Sequence, residues 1–209
     1  GSDIDMSYAA EKFDAVMVLW YPGSQGGKAA AKILFGENSP SGKLPVTFYE
    51  SLEELPEFTD YSMKGRTYRY MEGKAQFPFG YGLTYSNVKV ENAEVRQCGR
   101  KITVEAEVYN KGNADTEEVV QVYVKNLDSK NAIPNPALGG FQRIFIKAGE
   151  RRKVMVPVWE KAFTVVDENG ERVEDGRKYE IFAGCSQPDE RSIELTGTEP
   201  VKIIWEKED

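Results

Sequence analysis

The six residues GRTYRY, 65–70, gather two arginines and two tyrosines: Arg66, Tyr68, Arg69 and Tyr70. Guanidinium groups are planar donor forks, and phenol rings are faces on which a sugar or a guanidinium stacks. Two readings follow. In one, these side chains staple a loop between domains through cation–π and arginine–carboxylate contacts. In the other, Arg66 or a tyrosine reaches the rim of a ligand site. Trp20 poses the same choice. It ends the apolar run Val16–Trp20, at the edge where open α/β sheets place ligand crevices, and it either lines a pocket or fills a domain interface.

What is missing narrows the chemistry further. There is no histidine, which removes Ser-His-Asp and Cys-His nucleophiles and most zinc sites. Carboxylates, Tyr, Lys or Arg must carry any reaction. Asp60, Asp167 and Glu168 lie near aromatics or turns, yet no spacing pairs them as acid and base. The turn PGSQGG ahead of a helix has anion-binding character. It lacks the G-x-G-x-x-G spacing and the downstream acid of dinucleotide domains, so it reads as a tight strand-to-helix turn. The sequence therefore implies no cofactor and no metal.

The net charge of −7 argues against a nucleic-acid partner. The basic run Arg151-Arg152-Lys153 reads as a solvated strand edge. No apolar run approaches the roughly 20 residues that a membrane span needs. Cys98 and Cys185 set no disulfide framework. We expect both to be reduced and partly buried, which favours a reducing, cytoplasmic compartment. Gly1-Ser2 reads as a cloning remnant, so the natural N-terminus is expected to lie elsewhere.

The elements that must position these groups fall into three stretches. Over residues 1–60 the sequence predicts a short helix near Ala9–Phe13. A buried parallel-type strand follows at Val16–Trp20, then a breaker-rich turn, then a helix over Lys28–Phe35 closed by Gly36. One strand and one helix do not close an α/β sheet, so the rest of that sheet is expected outside these 209 residues. A bare apolar face of this kind invites packing on the neighbouring domain or self-association.

Residues 61–85 form a loop too aromatic to be disordered. It ends in FPFGYGLTY, whose rings are expected to bury between the two flanking parts. Pro78, Gly80 and Gly82 turn its backbone. From residue 86 to 209 the pattern alternates: KITVEAEVYN, EEVVQVYVKN, two strands around Ala148-Gly149-Glu150, a hairpin at Asn169-Gly170, KYEIFAGCS and RSIELTG. These short strands, without a helix, predict an immunoglobulin-like β-sandwich, with Trp159 and Trp205 in its core. The fold class is thus mainly β, with a partial α/β segment and a long ordered loop in front.

The blocks WYPGSQGGKAAAKILFGENSPSGKLPVTF, GRTYRY and FPFGYGLTY, in this order before a fibronectin type III-like sandwich, resemble the C-terminal part of glycoside hydrolase family 3 β-glucosidases over essentially the whole chain. The resemblance implies that an upstream barrel and the rest of an (α/β)6 domain are the natural partners, with a β-glucoside or oligosaccharide as substrate of the full-length protein. It also implies a retaining mechanism, with an aspartate nucleophile and a glutamate acid/base flanking the scissile bond. Neither family position matches a carboxylate of this chain. The residues implied here are scaffold, with Arg66, Tyr68, Arg69, Tyr70 and Trp20 as candidates for the substrate rim. A β-xylosidase of the same family, or a free-standing carbohydrate- or protein-binding sandwich, is the competing reading.

Overall fold

The computed structural model describes residues 4–208; Gly1-Ser2 lies outside them. Two antiparallel sheets face each other. One has the order β1 (Val88–Cys98), β2 (Lys101–Asn110), β5 (Arg151–Val158). The other has the order β4 (Ala137–Ile146), β3 (Thr116–Asn126), β8 (Lys178–Gly184), β9 (Val201–Glu206). A small hairpin, β6 (Val165–Val166) with β7 (Arg172–Val173), carries Asn169-Gly170 in its loop. Strict alternation makes the core. In β2, Ile102, Val104, Ala106 and Val108 all point inward, and Val104 pairs with Val156 while Ala106 pairs with Val154. Val120, Val122, Val124, Ile144, Ile146 and Ile181 complete the core from the opposite sheet. The result is the expected β-sandwich.

Several parts of the chain depart from expectation. RSIELTG is no strand but lies in helix α4 (Glu190–Thr196). Asp189 caps it by accepting the Ser192 N–H at 2.6 Å, and Gly197 ends it in the left-handed region at φ +64. Those end signals outweigh a short alternating pattern. The last place in the sheet goes instead to β9, VKIIWE, which packs Trp205 against the core. Trp159 is 41% exposed and meets Phe141 edge-on at the surface. Cys98, at the outer end of β1, is exposed rather than partly buried.

In front of the sandwich, helices α1 (Ser7–Lys12) and α2 (Gly26–Leu34) form close to where the sequence places them. Val16–Trp20 does not become a strand, and Val16 to Tyr21 are exposed. A strand needs an aligned edge to pair with, and this run joins none of the sheets among the described residues. The aromatic loop, by contrast, is firmly seated. A one-turn helix, α3 (Thr67–Tyr70), and the segment 75–82 lie against β3.

At Gly80 that seat lies tight against β3. Its φ is +76, and a Cβ there would collide with Gln121 Oε1 and lie 2.5 Å from Tyr123 Oη. Gly197 shares the positive φ but has open space around it. Gly80→Ala should therefore cost about 3 kcal/mol, and Gly197→Ala about 1 kcal/mol. Urea unfolding of the two variants checks the ranking; equal losses would remove Gly80 from its role as the seat.

Candidate functional site

Two places gather side chains with chemical potential, and the docked loop builds both. The first is a groove of about 670 Å³ lined by Pro45, Val46, Thr47, Tyr49, Met63, Thr67, Tyr68, Arg69, Tyr70 and Phe79. Its floor is fixed by α3. Asn135 holds that turn in place: its Nδ2 donates to the carbonyls of Tyr68 (3.0 Å) and Met71 (2.7 Å), and its N–H donates to Arg69 O at 3.2 Å. Tyr68 stacks on Phe79 with centroids 4.1 Å apart, and both rings meet Tyr123 edge-on. The Tyr68 hydroxyl accepts the Leu138 N–H at 3.0 Å. Tyr49 Oη accepts the Thr67 N–H at 2.8 Å, at a residue held at φ +56.

The candidate rim residues thus separate. Tyr68, Arg69 and Tyr70 share the groove. Arg66 is directed elsewhere, donating through Nη2 to Glu57 O (2.9 Å) and Asp60 O (2.8 Å), so it staples the 57–66 loop. Trp20 lies outside the groove lining, 6.2 Å from the Phe48 ring and 38% exposed at φ +52. Tyr68 supports the loop as well as lining the groove, whereas the Arg69 guanidinium makes no ion pair or hydrogen bond among the described residues.

The second place is a buried ion pair with no local signature in the sequence, because its partners stand 75 residues apart (118 − 43). Lys43 Nζ lies 2.8 Å from Glu118 Oε1, both side chains nearly sealed from solvent, and it also donates to Gly82 O at 2.8 Å. Glu118 Oε1 accepts the Val119 N–H at 2.7 Å. A cavity of about 240 Å³ adjoins the pair and includes Thr84, Ser86, Cys185 and Thr196 in its wall. Burial, and then the Glu118 charge, push the Cys185 thiol well up, so it is a thiol rather than a thiolate at neutral pH.

A catalytic pair of acids requires two carboxyls in different environments beside one another. Among the described residues burial raises two carboxyls, Glu118 and Asp189. Both are already engaged in holding the fold, since Glu118 binds Lys43 and Asp189 caps α4. The groove contains no carboxylate at all. Among the described residues no cluster of three Cys, Asp or Glu could hold a metal ion, and no helix is long and apolar enough to cross a membrane.

Residues 1–85 match the family model described as the glycosyl hydrolase family 3 C-terminal domain, and residues 118–187 match the fibronectin type III-like domain. A xylan 1,4-beta-xylosidase of Xylanibacter ruminicola is 41% identical over 95% of this chain and 23% of its own length. A periplasmic beta-glucosidase of Salmonella typhimurium is 30% identical over 83% of this chain and 25% of its own. The crystal structure of a beta-glucosidase from Kluyveromyces marxianus superposes with a TM-score of 0.75 at 27% identity, over 91% of this chain and 24% of that one. The chain spans about a quarter of the length of the curated relatives it matches.

The ion pair makes stability depend on pH. Burial is the largest influence on Glu118 and raises it above the ordinary carboxylate value, while Lys43 pulls it back down. A carboxyl raised on folding favours the folded state at low pH, and that advantage is lost as pH climbs through the folded value. Lys43→Met removes the downward pull. Its stability deficit should be small near about pH 5 and widen to about 3 kcal/mol near about pH 8. Denaturation midpoints across that range test this; a deficit independent of pH would mean that Glu118 is not charged against Lys43.

Proposed function

Because the chain belongs to glycoside hydrolase family 3, we propose that it serves as the C-terminal scaffold of a retaining β-glycosidase whose nucleophile and acid/base are supplied by upstream domains. In this reading residues 1–60 complete an α/β domain, 61–85 clamp it, and 86–209 are the fibronectin type III-like domain. The observation that carries the reading is the seating of the aromatic loop on β3. Gly80, Gln121, Tyr68, Phe79 and Tyr123 hold the aromatic loop against the sandwich in one arrangement. Fixed domain geometry is what a site built between domains needs, because misplacement by about 1 Å can cost a hundredfold in rate.

The proposed substrate is a terminal β-D-glucosyl residue, in keeping with the beta-glucosidases among the structural neighbours. A β-xyloside is the second reading, favoured by the 41% identity to a xylosidase. The exposed apolar run at 16–21, with Phe35 and Leu34, is proposed as the face that mates with the upstream part, or with a second copy when that part is absent.

The isolated chain should release no aglycone from an aryl β-glucoside or an aryl β-xyloside, and it should bind a hydrophobic dye. Adding the separately produced upstream part of the parent should lower dye binding and restore one of the two activities, and the substrate that turns over decides between glucose and xylose. Aglycone release by the isolated chain, abolished by replacing one of its own carboxylates, would overturn the reading.

A further inference from the structure

We propose that the groove of Thr47, Tyr49, Tyr68, Arg69, Tyr70 and Phe79 is a binding site for a carboxylate-bearing pyranose, a uronate unit of a glycan, contained wholly within this chain. It rests on the preceding reading in one respect only, that the ligands of this protein are glycosides. Binding at the groove requires no catalytic acid.

Three observations converge there. The groove has the size and wall chemistry of a small-molecule site. Its volume of about 670 Å³ falls inside the usual ligand range of roughly 300–1,000 Å³, and its wall is mainly aromatic and apolar with a few polar groups. Phenol rings present the flat apolar faces against which a pyranose stacks its C–H groups.

Next, a polar atom in the wall is left without a partner. Thr47 is 7% exposed, yet its Oγ1 makes no hydrogen bond among the described residues. A buried hydroxyl normally finds a partner, since leaving one unmade is costly. A ligand hydroxyl seated in the groove would satisfy it.

The charge of the groove then selects the sugar. This chain has 34 acidic and 27 basic residues. Most arginines elsewhere are engaged: Arg96, Arg143, Arg151 and Arg191 face carboxylates, and Arg66 and Arg152 face backbone carbonyls. The groove holds no Asp or Glu, and its one cation, Arg69, is unpaired among the described residues. A site for neutral sugars commonly offers carboxylates to accept their hydroxyls. A planar fork without a carboxylate partner instead matches a carboxylate on the ligand, which it can meet through two parallel N–H···O bonds.

The test uses the 209-residue chain and two probes, methyl β-D-glucuronide and methyl β-D-glucoside. Binding is followed by amide chemical-shift changes in a titration at low salt. The glucuronide should bind saturably with Kd on the order of 1 mM, the shifts should map to residues 45–49 and 63–70, and affinity should exceed that for the glucoside by roughly tenfold. Arg69→Gln should erase that preference while leaving the thermal midpoint unchanged, because Arg69 supports nothing else. Tyr70→Ala should weaken both probes.

Absence of saturable glucuronide binding would overturn the proposal, as would equal affinity for the two probes, a preference that survives Arg69→Gln, or shifts that map elsewhere. Groove shifts that depend on protein concentration alone would also overturn it, showing that a second copy occupies the groove. Failure here leaves the complementation result untouched, and failure of complementation leaves this titration interpretable.

Discussion

One side-chain amide registers the aromatic loop on the sandwich. Gln121, buried in the middle of β3, donates through Nε2 to Gly80 O at 3.0 Å and to Cys185 O at 2.9 Å, while its Oε1 accepts from Tyr123 Oη at 2.7 Å. Both ends of the amide are occupied, so its burial is tolerated. Apolar contacts alone would let a loop slide by a residue at little cost. A buried amide would be left unsatisfied by such a slip, and that penalty fixes one position for Gly80. Tyr123, held by the same amide, presents its ring edge-on to Tyr68 and Phe79. The position of α3, and with it the groove, follows from that contact.

The Lys43–Glu118 pair acts in a similar way at the neighbouring crossing of the chain. Two charges withdrawn from water gain little net free energy over a well-packed apolar pair. What they add is exclusivity: either partner buried alone is strongly unfavourable, so the 39–44 segment has few alternative places to lie. Lys43 also donates to Gly82 O, and Ser39 Oγ meets both Thr116 Oγ1 (2.8 Å) and the Tyr85 N–H (2.9 Å). The two loop segments are therefore tied to β3 and to each other by directional contacts. Tyr85 Oη then donates to Ile33 O at 2.8 Å, which extends the ties to the end of α2.

Legibility from sequence tracks how local each interaction is. The sandwich core could be read because alternation in KITVEAEVYN and EEVVQVYVKN is a local pattern. Helix α2 could be read from its alanine-rich run and Gly36. The seating of FPFGYGLTY on the sandwich was also legible in outline, from ring density and breakers. Its partners were not. In β3, residues 120–124 are all buried, because one face meets the opposite sheet and the other meets the loop. Gln121 and Tyr123 look like solvent-facing positions in an alternating strand until the loop is known to cover them. RSIELTG misled because five or six residues of alternation say less than Asp189 and Gly197 at its ends. Tyr68, Arg69 and Tyr70, which line the groove, stand side by side in the sequence. Thr47 and Tyr49 complete the groove from 20 residues away, reckoned from Thr47 to Thr67 (67 − 47), with no local signal.

The run Val16–Trp20 marks the limit of sequence pattern from the other side. Its sequence states clearly what it is suited to become, a strand covered on both faces, and yet in this chain it is exposed and unpaired among the described residues. Propensity and pattern specify what an element can be; a ladder requires a partner whose donors and acceptors are aligned with its own. Trp20, in the left-handed region at φ +52, shows the same dependence. A non-glycine residue there costs roughly 1–2 kcal/mol and persists where its surroundings impose it; here its ring contact is to Phe48. Phe48 in turn meets Phe77, and Phe77 stacks with Tyr81 at 5.8 Å, so the exposed run is attached at one end to the best-seated part of the loop. An apolar strand sequence is thus tied at one end to an aromatic mount, and that mount supplies the order that the strand lacks by itself.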